Sequence, residues 1–243
     1  MARGPLPYTR VHAEPRITAN ELARYMITPD TGRIGIIKRA KTSNTAVRTR
    51  YNDVRTVIRS ALTDPVNERR ILAAAYESFE QRQGDASLSP FVKDDAAKSL
   101  EVINAYKGMR NSLAVRDFVA PPPRQAPITI GGVKVSVTAD VLLHGEDKGK
   151  ATIGAALFRF TQPEDESDTR AIAKRREMGI YAATLVRMYV AENFSGERIV
   201  HYPHCWSVDI QCGDVHTAPK AFLQREQQIA SACRFIAAIW NDV

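Results

Sequence analysis

The segment His201-Tyr-Pro-His204-Cys205-Trp206-Ser-Val-Asp209-Ile-Gln-Cys212-Gly-Asp-Val-His216 gathers three of the five histidines and two of the three cysteines in the chain. Imidazole and thiolate are zinc ligands, and His201 with His204, or Cys212 with His216, have a spacing that a pair of ligands can use. The run from Cys205 to Cys212 also reads as a strand. Seven residues of strand would send these two side chains to opposite faces and separate them by over ~20 Å. The pattern therefore favours core cysteines and surface histidines over a zinc centre. No Walker-type glycine loop, Gly-x-Ser-x-Gly nucleophile turn or His-Glu-x-x-His helix occurs.

A second kind of chemistry is electrostatic. The formal charge is +7, and the first 70 residues hold 14 Lys or Arg against 6 Asp or Glu, while the remainder holds 20 against 21. The whole excess sits in the N-terminal part, where a positive field favours nucleic acid or an acidic protein partner. The alternative is a solvated basic surface that serves solubility. Within this part Val47, Tyr51, Val54, Val57, Ile58 and Leu62 form the apolar stripe of a helix expected over Ala46–Leu62, and Arg48, Arg50, Arg55 and Arg59 lie largely outside it. These four arginines are the candidate polyanion contacts. Aromatic residues make up 7% of the chain and fall mostly on expected core faces, so nucleic-acid binding would be electrostatic rather than by base stacking.

The elements that must position these groups fall into two halves. Thr18 and Glu21 have capping-box spacing before Leu22, Tyr25 and Met26, and Pro29-Asp30-Thr31-Gly32 reads as the end of that short helix. Further helices are expected after Asp64-Pro65 and over Val92–Lys107. The proline-rich run from Val119 to Pro127 cannot continue a helix. Beyond it the period changes to two: Ile128-Thr-Ile130, a Gly131-Gly132 turn, Val133, Val135, Val137, then Val141-Leu142-Leu143 and the run Ala151–Phe160. Glu166–Asn193 reads as a long helix and Ala221–Trp240 as a final amphipathic one. The expectation is a mixed α/β protein with a helical, basic region over 1–120 and an α/β domain over 128–243, its sheet built around a central hairpin. No stretch reaches the roughly 18 apolar residues of a membrane span, the N-terminus lacks a secretory run, and three scattered cysteines make no disulfide framework. These features point to a cytoplasmic protein with no membrane partner; they leave the oligomeric state open.

The segment Val135-Ser-Val-Thr-Ala-Asp140-Val-Leu-Leu-His144, followed by a turn, a strand, a long helix, strands and a helix, resembles the core of the PD-(D/E)XK nuclease superfamily, with its restriction-endonuclease-like fold, over residues 128–243. The resemblance implies that Asp140 matches the family's first acidic residue, and that two carboxylates and a lysine hold Mg²⁺ or Mn²⁺, which activates water and stabilises the charge developing on the scissile phosphate. The second half of the motif departs from the family. Its strand reads Ile153-Gly-Ala-Ala-Leu157-Phe-Arg159-Phe160, with Arg159 where the family has lysine and Leu157 where it has an acid. Glu177, on the following helix, is the candidate replacement acid.

Asp140 thus has three readings: a metal ligand, a remnant in a fold that has lost catalysis, and a polar residue capping a hairpin. The resemblance implies a nucleic-acid-associated protein with a nuclease-like fold and impaired catalysis, by analogy in a bacterial defence or mobile-element system. One alternative is an active Mg²⁺- or Mn²⁺-dependent nuclease in which Asp140 and Glu177 bind the metal and Arg159 the transition-state phosphate. Another is a protein-interaction adaptor with a basic face.

Overall fold

A computed structural model describes residues 9–44, 50–113, 117–163, 168–194, 196 and 198–243. Five strands form the central sheet: β4 (Asp117–Val119), β7 (Val141–Asp147), β8 (Lys150–Arg159), β9 (Ile199–Asp209) and β10 (Asp214–Thr217), in the order β10-β9-β8-β7-β4. β7 and β8 make an antiparallel hairpin, β9 runs parallel to β8, and β10 returns antiparallel to β9. The parallel step from β8 to β9 requires a crossover, supplied by helix α6 (Thr169–Asn193). The chain is a mixed α and β protein, as its alternating and helical periodicities imply.

Successive residues of a strand point to opposite faces, so the central sheet feeds two cores. Leu142, Ala155, Leu157 and Cys205 pack on one face with α6, α1 (Ala19–Ile27), α2 (Asp30–Lys41) and α7 (Phe222–Ile239). Val141, Leu143, Ala156, Phe158, Trp206 and Val208 pack on the other with α3 (Asn52–Thr63), α4 (Glu68–Gly84) and α5 (Pro90–Met109). A smaller sheet joins β2 (Arg16–Thr18), β6 (Val133–Ser136) and β5 (Ile128–Ile130) in that order, and β1 (Thr9–Val11) pairs with β3 (Thr42–Asn44). Among the described residues no helix is long and apolar enough to cross a membrane.

Local signals explain several elements. The capping box closes α1: the Glu21 amide donates to Thr18 Oγ1 at 3.2 Å, and the Thr18 amide to Glu21 Oε2 at 3.1 Å. The β5–β6 turn uses φ of 52° at Gly131 and 84° at Gly132, values that glycine adopts without a Cβ clash.

Other expectations are corrected. Pro29-Asp30 opens α2 instead of merely ending α1, because Asp30 in the first turn complements the helix dipole. The helix expected from Ala46 starts at Asn52, after Tyr51 in a left-handed conformation with φ 65°, and residues 45–49 lie outside the described residues. The strand expected over 205–212 begins at Ile199 and ends at Asp209.

The proline-rich segment does not divide the packing into a 1–120 region and a 128–243 domain. β2 pairs with β6 in parallel, β4 pairs with β7, and α3–α5 cover a face of the central sheet, so each half completes a sheet or core of the other. Lys41 Nζ, at the end of α2, donates to the carbonyls of Trp240 and Val243, each at 2.8 Å. Trp240 Nε1 donates to the His12 carbonyl at 3.1 Å.

Candidate functional site at the end of the central strand

Asp140 and Arg159 come to the same end of the sheet. β7 begins one residue after Asp140, whose amide donates to the Ala156 carbonyl of β8 at 2.7 Å. Beyond that point the amide and carbonyl of Phe158 have no strand partner on that side. Asp140 Oδ2 accepts the Phe158 amide at 2.7 Å, and Arg55 Nη2 donates to the Phe158 carbonyl at 3.1 Å. The two side chains replace a missing rung of the ladder, since buried backbone polar groups need partners.

They also bind each other. Arg55 Nη1 donates to Asp140 Oδ1 at 2.8 Å and to Oδ2 at 2.6 Å, and the guanidinium carbon lies 4.9 Å from the centre of the Phe160 ring. The Asp140 side chain is closed to solvent and that of Arg55 is 24% exposed. Burial pushes the Asp140 carboxyl up, against the pull of Arg55, the Phe158 amide and Arg59.

Arg159 occupies the opposite face. Its Cα pairs with Asp209 across the parallel β8–β9 step, and Nη2 donates to Asp209 Oδ2 at 2.7 Å. Arg175 of α6 closes the same carboxylate, Nε to Oδ2 at 2.6 Å and Nη2 to Oδ1 at 2.7 Å. Asp209 is fully buried and Arg159 is 6% exposed, so Arg159 is held inside the fold by its ion pair instead of standing open to a phosphate. Burial pulls the Arg159 pKa down and Asp209 opposes it. His216, whose Cα pairs with that of Ser207 across β9–β10, packs against Gly179 of α6; a Cβ on Gly179 would fall 2.1 Å from the His216 ring.

Glu177 faces elsewhere. It lies two residues from Arg175 on α6, and positions two apart on a helix do not share a face. Its carboxylate accepts from Arg225 of α7, Oε1 at 2.6 Å and Oε2 at 3.3 Å, and it lines a shallow pocket of about 420 Å³ with Met26, Ile27, Lys174 and Tyr181. The three residues expected to form one metal-dependent site are therefore held in three separate ion pairs, with Arg55, Asp209 and Arg225. Asp140 and Glu177 do not fit a shared hard cation in this arrangement, because the oxygens of each are engaged by a guanidinium of a different helix.

The arginine stripe is likewise altered. Arg50 pairs with Asp94 and lies 5.3 Å over the Phe91 ring, Arg55 is engaged by Asp140, Arg59 is half-buried beside the same carboxylate, and Arg48 lies outside the described residues. Among the described residues no three His, Cys, Asp or Glu side chains group in a way that could hold a metal ion. Cys205 is buried, with its thiol pushed up to about 12 by burial, whereas Cys212 is exposed. The rings of His201 and His204 meet edge to face, 4.5 Å apart.

Asp209 and Arg175 carry much of this arrangement, and sequence reasoning did not single them out. A usable signal was present: one acid in the apolar run Trp206–Ile210 and one arginine in the apolar run Leu157–Phe160 are the charges two buried neighbouring strands would pair. Compared with protein-family models and with curated proteins, the chain matches none.

Proposed function

We propose that this protein associates with nucleic acid through a nuclease-like α/β core that has lost efficient metal-dependent cleavage. The β7–β8 hairpin, crossover α6, parallel β9 and antiparallel β10 support the nuclease-like reading, as the element order resembles that superfamily's. The observation that carries the loss of catalysis is the Arg55–Asp140 contact. Where the resemblance puts the first metal acid, a guanidinium of the same chain occupies both carboxylate oxygens. A hard cation needs free oxygens. The excess of cations in the first 70 residues supports the nucleic-acid partner.

The test is a combined cleavage and retention assay on single- and double-stranded DNA and RNA with Mg²⁺ or Mn²⁺. Salt-sensitive retention without cutting is expected, since each phosphate contact releases condensed counterions. Metal-dependent cutting that Asp140→Asn abolishes, with the fold intact by circular dichroism, would establish the active nuclease instead. Co-purification of a stoichiometric protein with no retention of nucleic acid would establish the adaptor.

A further inference from the structure

With much of the arginine stripe engaged internally, the unneutralised charge of the N-terminal part lies elsewhere. An open groove of about 530 Å³ runs between the solvent face of the small sheet and the segment from β1 to β2. Its lining includes Arg10, His12, Glu14, Arg16, Lys134 and Ser136.

Arg16 and Lys134 are Cα partners on neighbouring parallel strands, so two like charges stand side by side. Such a pairing is unfavourable without a counter-charge. Glu14 is the acid of the lining, and it pairs with Lys134. Among the described residues no carboxylate pairs with Arg10 or Arg16, both of which are exposed. The His12 pKa is lowered by burial and then by Arg16 and Arg10, so the field there is positive. Ser136 adds a hydroxyl donor on the same face, and no Phe, Tyr or Trp is among the lining residues.

We infer that this groove, rather than the face of α3, seats the phosphodiester backbone of a nucleic acid, with Arg10 and Arg16 as the phosphate contacts. The inference rests on the nucleic-acid reading above and adds its location. Guanidinium groups and a hydroxyl are the groups that hold phosphate oxygens, and a groove without aromatic side chains takes the backbone instead of the bases. Binding there is insensitive to sequence and sensitive to salt.

The test is fluorescence anisotropy with labelled single-stranded DNA, single-stranded RNA and duplex DNA of roughly 20 nucleotides, titrated between roughly 50 and 200 mM salt. The double variant Arg10→Gln/Arg16→Gln is expected to bind about tenfold or more weakly. Its salt slope falls by about 1 to 2 units. Glu14→Gln, which removes the acid from the groove, tightens binding, a gain that misfolding would not produce. Arg69→Gln/Arg70→Gln, two exposed arginines of α4, leaves binding unchanged.

Wild-type protein that binds none of the three probes would overturn both the groove and the nucleic-acid reading. Wild-type binding that the groove variants retain, or that both double variants weaken equally, would overturn the groove and leave the nucleic-acid reading standing.

Discussion

Arg159 and Asp209 stand in register on adjacent parallel strands, joined by a 2.7 Å contact from which solvent is excluded. A buried charge needs its partner, so removing one member harms the fold more than replacing both with apolar groups. Asp209→Asn is expected to lower stability by about 3–5 kcal/mol in urea unfolding, and Arg159→Met/Arg175→Met/Asp209→Leu, which removes every charge of the group, to recover a large part of that loss. A loss under about 1 kcal/mol for Asp209→Asn would mean that water reaches the pair.

Arg55 and Asp140 support each other and the end of β8, so their substitutions are expected to be non-additive. Arg55→Met strands the buried Asp140 carboxylate, and Asp140→Asn relieves that charge. A double-mutant cycle on unfolding free energy should give a coupling of about 1–3 kcal/mol. Additive effects would remove the claim that the two act as one unit.

Gly154 sits where the β8–β9 register shifts, and a Cβ there would fall 2.0 Å from the His204 carbonyl oxygen. Backbone has little room to yield. Gly154→Ala is expected to lower stability by about 3 kcal/mol, above Gly179→Ala, where the obstructing group is the His216 ring and can shift. Thermal melts of the two variants rank them, and the reverse order would contradict this packing.

His216 has a pKa held below its ordinary value, first by burial and then by Arg159. The unfolded state therefore binds more protons than the folded state as pH falls through the ordinary histidine range near about 6.5, and stability is lost on acidification. His144, also lowered by burial, acts in the same direction. His216→Phe keeps a ring beside Gly179 but cannot take a proton. Its Tm should fall less than that of the wild type between about pH 7.5 and about pH 5.5, and equal falls would exclude His216 as a contributor.

Glu177 offers a contrast. Its ion pair with Arg225 is partly exposed, with side chains 41% and 23% accessible. Glu177→Gln should change stability by less than about 1 kcal/mol in the same urea experiment. Its effect on retention of nucleic acid should be negligible. Loss of a metal-dependent cleavage on this substitution would instead revive Glu177 as the migrated acid.

The sequence made some of this visible and hid the rest for a physical reason. Short-range signals carried well: Thr18 with Glu21 marked a cap, Gly131-Gly132 a turn, and Arg159 stood out as a charge within an apolar strand. Partnerships did not. Asp140 and Arg55 are 85 residues apart, and Arg159 and Asp209 are 50 apart. Periodicity assigns a residue to a face of its own element without saying which distant element meets that face. Arg55 therefore read as an outward cation although its guanidinium lies over Phe160 and binds the end of the sheet. Asp30 read as part of a turn because Pro-Asp-Thr-Gly is a common turn sequence, yet the same proline and acid also suit the start of a helix.

The clasp from Lys41 to Trp240 and Val243, with Trp240 reaching back to His12, has a consequence for how the chain is made. During synthesis β2 and Lys41 leave the ribosome before the strand that β2 joins and the helix end that Lys41 grips, which come more than a hundred residues later. Loops of that span close slowly, because their entropy is lost before their contacts form. The groove-bearing layer is thus translated before the strand it pairs with, and its cationic side chains share a common surface only once β6 has joined β2.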